Sequence, residues 1–246
     1  MSRYDFSAQR LFVDADLSAG AEVACTPPQT NYLRNVLRLK PGDAILVFNG
    51  RDGEWRAEIA EAGKRATTLA IAEQVRAQEG GPDIDYLFAP LKRARLDYMV
   101  EKATEMGVAR LRPVLTRRTT PERVNTERMQ AHAIEAAEQC GILRIPEVHA
   151  PEKLDRVIAA WDPARPLVFC DEDSAETCPF TVLAGIEPGP LGVLIGPEGG
   201  FEEAERELLS RQPFVTRISL GPRILRADTA AVAALALVNA ALGDWR

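Results

Sequence analysis

The stretch Leu191 to Leu237, LGVLIGPEGGFEEAERELLSRQPFVTRISLGPRILRADTAAVAALAL, decides the reading of this chain. An apolar run (Leu191, Val193, Leu194, Ile195) ends in Gly196-Pro197-Glu198-Gly199-Gly200. An acidic, helix-forming run follows from Phe201 to Leu209. A second apolar run (Phe214, Val215, Ile218, Leu220) ends in Gly221-Pro222-Arg223, and past Asp228 comes a long Ala/Leu/Val helix. The order is strand, glycine loop, helix, strand, glycine loop, helix. In open α/β sheets ligands bind beyond the carboxyl ends of strands, where such loops gather. Glycine lets backbone approach a ligand closely, and proline stiffens a loop. Two such loops in succession predict a preformed pocket that meets its ligand largely through backbone. Two ordinary strand-to-helix turns are the plainer alternative.

The charges around the loops narrow the ligand. The chain has no G-x-x-x-x-G-K-[ST], and GPEGGF lacks the G-x-G-x-x-G spacing. Glu198 sits in the first loop, with Glu202 and Glu203 in the next helix's first turn. Negative charge suits a helix N-terminus but repels the phosphates that such a terminus otherwise attracts. A ligand that is neutral or cationic near this loop fits better. S-adenosylmethionine (SAM), with a sulfonium and no phosphate, is one.

Length and composition bound the rest. The 246 residues suffice for one large or two smaller domains, and 46% hydrophobic content supplies a core. The four cysteines (Cys25, Cys140, Cys170, Cys178) are scattered without a C-x-x-C, which predicts a reduced, cytoplasmic protein. The two histidines, His132 and His149, lie in no metal-ligand spacing, so no metal site is expected. Neither a signal peptide nor a membrane span is predicted: the longest apolar stretch, Ala230 to Leu242, is interrupted by Asn239 and too short. The net charge of −6 gives no general pull toward nucleic acid. Locally, Lys92 to Arg128 holds ten basic residues against five acidic ones, Glu122 among the latter. Such a patch suits a phosphate backbone or, equally, a solvated mixed-charge face.

Residues up to about Val75 read as β-rich. Strands are predicted over Arg10–Val13, Ala44–Phe48, Glu54–Ala60 and Ala66–Val75, with a helical turn or two after Pro27-Pro28. Short, closely spaced strands predict a small barrel. Residues 76–82, RAQEGGP, read as a linker. Strand and helix then alternate: strand Ile84–Ala89, helix Arg93–Met106, strand Ala109–Leu115, helices Asn125–Cys140 and Pro151–Trp161, and strand Pro166–Cys170. Alternation of this kind predicts an α/β fold with a parallel sheet. General rules add that it is doubly wound and unknotted. Domains of 1–76 and 82–246 follow.

GPEGGFEEAE followed by SLGPRILRADTA resembles the SPOUT-superfamily methyltransferases of the RsmE type, which methylate N3 of a uridine in 16S ribosomal RNA. Asn31-Tyr32-Leu33 through Val36-Leu37-Arg38 with Gly42-Asp43, Lys102 to Gly107, Pro113, Glu135 to Cys140 and Pro146-Glu147 match in order along the chain. The resemblance implies an N-terminal PUA-like barrel for RNA, a C-terminal SPOUT domain with a trefoil knot, SAM bent within that knot, and a homodimer acting on the small ribosomal subunit. Carried over by residue, Gly196, Pro197, Glu198, Gly199 and Gly200 would bracket SAM with Leu220, Gly221, Ile224, Leu225 and Arg226. Phe169 and Cys170 would form a third wall. Leu220 and Leu225 also suit plain core packing. The chain departs from the family pattern where Ile142 and Leu143 precede Arg144, and at Asp228 and Asn31, where the family often has Glu and His.

Uridine N3 is a weak nucleophile while it holds its proton, so a carboxylate base within hydrogen-bond reach is expected. Glu198 is the first candidate. Asp228 is the second, with a helix N-cap as its stronger alternative. Arg223 or Arg226 is expected to stabilise charge developing on a carbonyl oxygen. Arg10, Arg34, Arg38, Lys92, Arg93, Arg117 and Arg118 are the candidate RNA contacts. Three other readings stay open at this point: a SPOUT enzyme acting on another RNA nucleotide, a non-catalytic ribosome assembly factor, and a phosphonucleotide-binding α/β enzyme.

Overall fold

The computed structural model describes residues 8–62, 66–120, 123–174 and 178–245. Glu122 of the basic segment lies outside them. The chain forms two compact units. One comprises Met1–Gly80 and Ala137–Ile145, and the other Gly81–Ala136 and Pro146–Arg246. The division expected from the linker alone had no second segment in the N-terminal unit.

The first unit contains β1 (Arg10–Phe12), β2 (Glu22–Ala24), α1 (Pro27–Asn31), a π-helical turn (Tyr32–Val36), β3 (Ala44–Phe48), β4 (Glu54–Ala62) and β5 (Thr67–Arg76). The strand order is β1-β3-β4-β5-β2, with β1 parallel to β3 and the other pairs antiparallel. The predicted small barrel is a curled half-barrel, with β1 and β2 as its two edges. Alternating side chains of its strands, among them Leu11, Ile45, Val47, Ala57, Ile59, Leu69 and Ile71, fill one core. Three register shifts between β4 and β5 add bend and twist. Ala137 and Leu143 join Phe48 in a second small cluster, which ties residues 137–145 to this unit.

The second unit contains β6 (Ile84–Phe88), α2 (Arg93–Glu105), β7 (Arg110–Leu115), α3 (Thr126–Cys140, whose last turn belongs to the first unit), β8 (Glu147–Val148) and β9 (Glu152–Lys153). There follow α4 (Leu154–Ala159), β10 (Leu167–Cys170), α5 (Pro179–Leu183), β11 (Leu191–Ile195), α6 (Glu203–Ser210), β12 (Val215–Ile218) and α7 (Ala227–Leu242). The sheet order is β12-β10-β11-β6-β7-β8, with β9 also on β7, and every pair is parallel. Strand periodicity sends Ile84, Tyr86 and Phe88 of β6 and Leu191, Val193 and Ile195 of β11 to a core shared with α2, α5 and α7. Leu87 of β6, Phe169 of β10 and Leu194 of β11 face the opposite core, shared with α4 and α6. Helices thus cover both faces of the parallel sheet.

Three local expectations change. Pro151–Trp161 is not one helix. It is the two-residue β9 followed by the short α4, because Glu152 and Lys153 pair with Val114 and Leu115. The two short elements β2 and α5 carried too few residues to show a period. Asp228 is not the N-cap of the last helix. Arg226 holds that position with extended backbone, and the Asp228 carboxylate accepts from Thr229 N–H at 2.8 Å within the first turn.

Candidate active site

The strands β12, β10 and β11 are neighbours and parallel, so the loops after their carboxyl ends converge. Together they line a cleft of about 290 Å³. Cys170, Asp171 and Glu172 come from the loop after β10. Gly196 to Gly200 come from the loop after β11, and Leu220, Gly221, Arg223, Ile224 and Leu225 from the loop after β12. This is the strand-end crevice predicted from the two glycine motifs. Its volume lies near the lower end of the roughly 300–1,000 Å³ of small-molecule sites.

The first loop is shaped by packing. A Cβ on Gly196 would lie 2.4 Å from a ring carbon of Phe201. Phe201 is buried and meets Phe169 edge to face, with ring centroids 5.0 Å apart. The ring cannot retreat, so only glycine fits. Gly196→Ala is expected to cost about 1–3 kcal/mol by overpacking and to weaken the cleft's affinity for its ligand on the order of tenfold by displacing the loop. Thermal melting and calorimetric titration of the variant check both. The second loop turns at Gly221, whose φ of +104° disfavours any side chain.

The helix after the first loop starts with a double lock. Glu202 and Glu205 form a capping box: Glu205 Oε2 accepts from Glu202 N–H at 2.9 Å, and the Glu202 side chain accepts from the Glu205 backbone. The other Glu205 oxygen accepts from Arg117 N–H at 2.8 Å. Arg118 Nη1 donates to Gly199 O at 2.6 Å. The segment around Thr116–Thr119 therefore braces the glycine loop.

The third wall is held by charge. Asp171 is buried, and its carboxylate accepts from Arg206 Nη1 and, at 2.6 Å, from Arg217 Nη2. Arg206 Nη2 also donates to Glu172 at 2.8 Å. No periodicity or motif in the sequence marks these residues, because their partners come from separate elements. Burial and the neighbouring Asp171 charge push the Cys170 thiol well above its ordinary range. A neutral thiol is not a nucleophile, so Cys170 lines the cleft without competing in its chemistry.

Other nominated residues are distributed as follows. The Phe169 side chain does not line the cleft; it is core, packed on Phe201. Ile224 stands 95% exposed at the rim. Arg226 is the N-cap of α7 and Asp228 lies in its first turn, both outside the lining. Glu198, on the cleft wall, pairs with Arg95 of α2, whose Nε also lies 3.9 Å from Asp228 Oδ2. Sequence reading counted Arg95 only within the basic segment.

Arg10 is not an RNA contact. Its side chain is 1% exposed, and its Nε donates to Glu54, itself fully buried, at 2.9 Å. Arg34 lies in the π-helical turn, and Arg38 follows it with φ of +60°, the single non-glycine residue at positive φ among the described residues. In the second unit much of the basic excess is neutralised internally. Arg110 and Arg112 pair with Asp85, Arg128 with Asp97, Lys102 with Glu105 and Arg95 with Glu198. The side chains of Lys92, Arg93, Arg117 and Arg123 have no partner among the described residues. Lys92, Arg93 and Arg123 line an open groove of about 1120 Å³ at the starts of α2 and α3. Among the described residues no group of His, Cys, Asp and Glu is placed to hold a metal ion, and no helix is long and apolar enough to cross a membrane.

Comparison with known proteins places this architecture. The RNA methyltransferase domain family matches residues 79–239, and the RNA methyltransferase PUA domain family matches residues 26–71. Ribosomal RNA small subunit methyltransferase E of Synechocystis is 32% identical over 240 residues, covering 96% of this chain and 78% of that protein. The protein of the same name from Rickettsia conorii is 29% identical over 236 residues, covering 94% of each. A Legionella pneumophila protein, solved in complex with SAM as cofactor, superimposes with a TM-score of 0.84 at 29% identity, covering 96% of this chain and 99% of that one. The fold is also that of ribosomal RNA small subunit methyltransferase E from Neisseria gonorrhoeae (TM-score 0.88, 24% identity, covering 97% and 100%). A half-barrel unit, a parallel-sheet unit with a glycine-walled cleft at its strand ends, and these matches along nearly the whole chain make it a member of the RNA methyltransferase family to which the ribosomal RNA small subunit methyltransferases E belong.

Proposed function

We propose that this chain transfers the methyl group of SAM to N3 of a specific uridine in 16S ribosomal RNA of the small ribosomal subunit. The observation that carries the reading is the cleft: three loops from adjacent parallel strands, walled largely by Gly196 to Gly200 and Leu220 to Leu225, with carboxylates rather than a lysine at its edge. Such a wall suits an adenosine bearing a sulfonium and disfavours a polyphosphate. SAM, when bound, supplies an electrophilic methyl group. The residues of the chain supply position and proton handling. Glu198 takes the N3 proton, Arg223 faces charge developing on a uracil carbonyl oxygen, and Asp228 is the reserve carboxylate. Lys92, Arg93, Arg117, Arg34 and Arg38 meet the RNA backbone. The reaction then takes place in the cytoplasm, with the ribosomal subunits.

The same reading includes a homodimer around a trefoil knot. In its support, β11 and β12 flank β10, and α7 returns from the β12 edge to pack on α2, α5 and β11. The side of α7 away from that core offers Val232 and Ala236, both half-buried in the single chain. A concentration-independent monomer in sedimentation would remove the dimer, and an experimental chain trace through residues 191–242 decides the knot.

The test is methyl transfer from labelled SAM to small subunits from a strain lacking this modification, with nucleoside analysis of the product. N3-methyluridine is expected. Another methylated nucleoside would move the reading to a different RNA site. SAM binding without transfer would leave a non-catalytic assembly factor.

A further inference from the structure

Three segments remote in sequence meet on one guanidinium. Arg95 lies in the first turn of α2. Its Nη1 donates to Glu198 on the loop after β11, and its Nε faces Asp228, in the first turn of α7, at 3.9 Å. Its Nη2 has no partner among the described residues. The side chains of Arg95 and Glu198 are 36% and 47% exposed. Ion pairs this open add little to stability, so the fold does not account for the arrangement. The two carboxylates that Arg95 faces are the two candidates for the proton acceptor. Arg118, which donates to Gly199 O, and Arg223, Asp171 and Glu172, which line the same cleft, are charged groups near Glu198.

We propose that Arg95 is the positioning residue of the methyl-acceptor side: it aims the Glu198 carboxylate and fastens the first glycine loop to the start of α7. The inference rests on the function proposed above. In that reaction the N3–H bond breaks and its proton passes to Glu198. The N3–C bond forms as the S–C bond breaks, and the sulfonium becomes a neutral thioether. Glu198 is then a neutral acid until it releases the proton to water. During that interval its ion pair with Arg95 is lost, and Asp228 keeps the guanidinium paired and in place. A planar fork with several fixed N–H groups serves two carboxylates in this way, whereas a single ammonium cannot hold both with the same geometry.

The experiment measures initial rates with labelled SAM and unmodified small subunits, using the full chain, alongside calorimetric SAM binding. Arg95→Met is expected to lower kcat on the order of 10²-fold, with KM for SAM and for subunits within about threefold. Arg95→Lys, which keeps the charge, is expected to recover about tenfold of that loss. In a Glu198→Gln background, Arg95→Met should cost less than about threefold more, because the two act as one unit. An unchanged kcat in Arg95→Met overturns the inference. So does a raised KM for subunits at normal kcat, which marks a phosphate contact, and so does a fully multiplicative double mutant. Should Arg95→Met fail to bind SAM, Arg95→Lys decides: a kcat about tenfold below the unsubstituted chain at equal SAM affinity supports the role, and full activity overturns it. No transfer by the unsubstituted chain overturns the functional reading and this inference with it, whereas normal transfer by both proteins overturns the inference alone.

Discussion

Glu198→Gln is expected to lower kcat for methyl transfer by about 10²- to 10⁴-fold, the usual share of a positioned general base, while SAM affinity stays within about twofold. The substitution keeps the size and reach of the side chain and removes its charge, and with it the capacity to take a proton and the ion pair with Arg95. Glu198 is on the cleft wall and half-exposed, so its carboxylate is accessible from the cleft. Asp228 is placed less well: it is largely buried and already accepts from Thr229 N–H. Asp228→Asn is accordingly expected to cost less than Glu198→Gln. Single-turnover rates with prebound SAM separate chemistry from binding. Normal turnover in Glu198→Gln with weakened SAM affinity would make Glu198 a cofactor contact and pass the base role to Asp228.

Arg10→Met is expected to destabilise the chain by about 3 kcal/mol, because it takes the closer cationic partner from a buried carboxylate. Glu54 is fully buried, and its two oxygens meet Arg10 Nε at 2.9 Å and Arg76 Nε at 3.5 Å. Arg10 also donates to Ala8 O at 2.8 Å. Arg76 shares the charge of Glu54 but, at 3.5 Å, does not replace the shorter contact, and its own Nη2 is committed to Gly141 O at 2.6 Å. Urea unfolding of the full chain measures the loss. Combining Arg10→Met with Glu54→Leu should restore part of the stability, since an apolar pair removes the buried charge that the single change deprives of its closer partner. The salt dependence of RNA binding should be unaltered in the folded variant, whereas loss of a phosphate contact would reduce its slope by about one unit. A reduced slope with unchanged stability would return Arg10 to the RNA surface.

The sequence by itself determined the class of fold and which glycine loops gather at one cleft. Both follow from local chemistry that repeats along the chain. Apolar runs such as Leu191–Ile195 ending in glycine loops, each followed by a helical period, are short-range signals, and the parallel sheet with its strand-end cleft bears them out. The resemblance carried by GPEGGFEEAE and SLGPRILRADTA supplied the family. Short elements were less legible: β2 has three residues and α5 five, too few for a period to show. Pro151–Trp161 read as a helix because the pairing of Glu152 and Lys153 with β7 is a long-range fact.

Only the tertiary structure decided which charges face each other. Arg10 and Arg93 look alike in sequence, yet one is sealed against Glu54 and the other stands open beside a groove. Arg95 and Glu198 are 103 residues apart, and Asp171 finds Arg206 and Arg217 35 and 46 residues away. Hydrophobic periodicity reports which face of an element is buried. It carries no information on which polar groups from distant elements arrive at the same point. Burial costs and pair energies depend on that arrival, so the electrostatics of the cleft became readable only once the strands were in order.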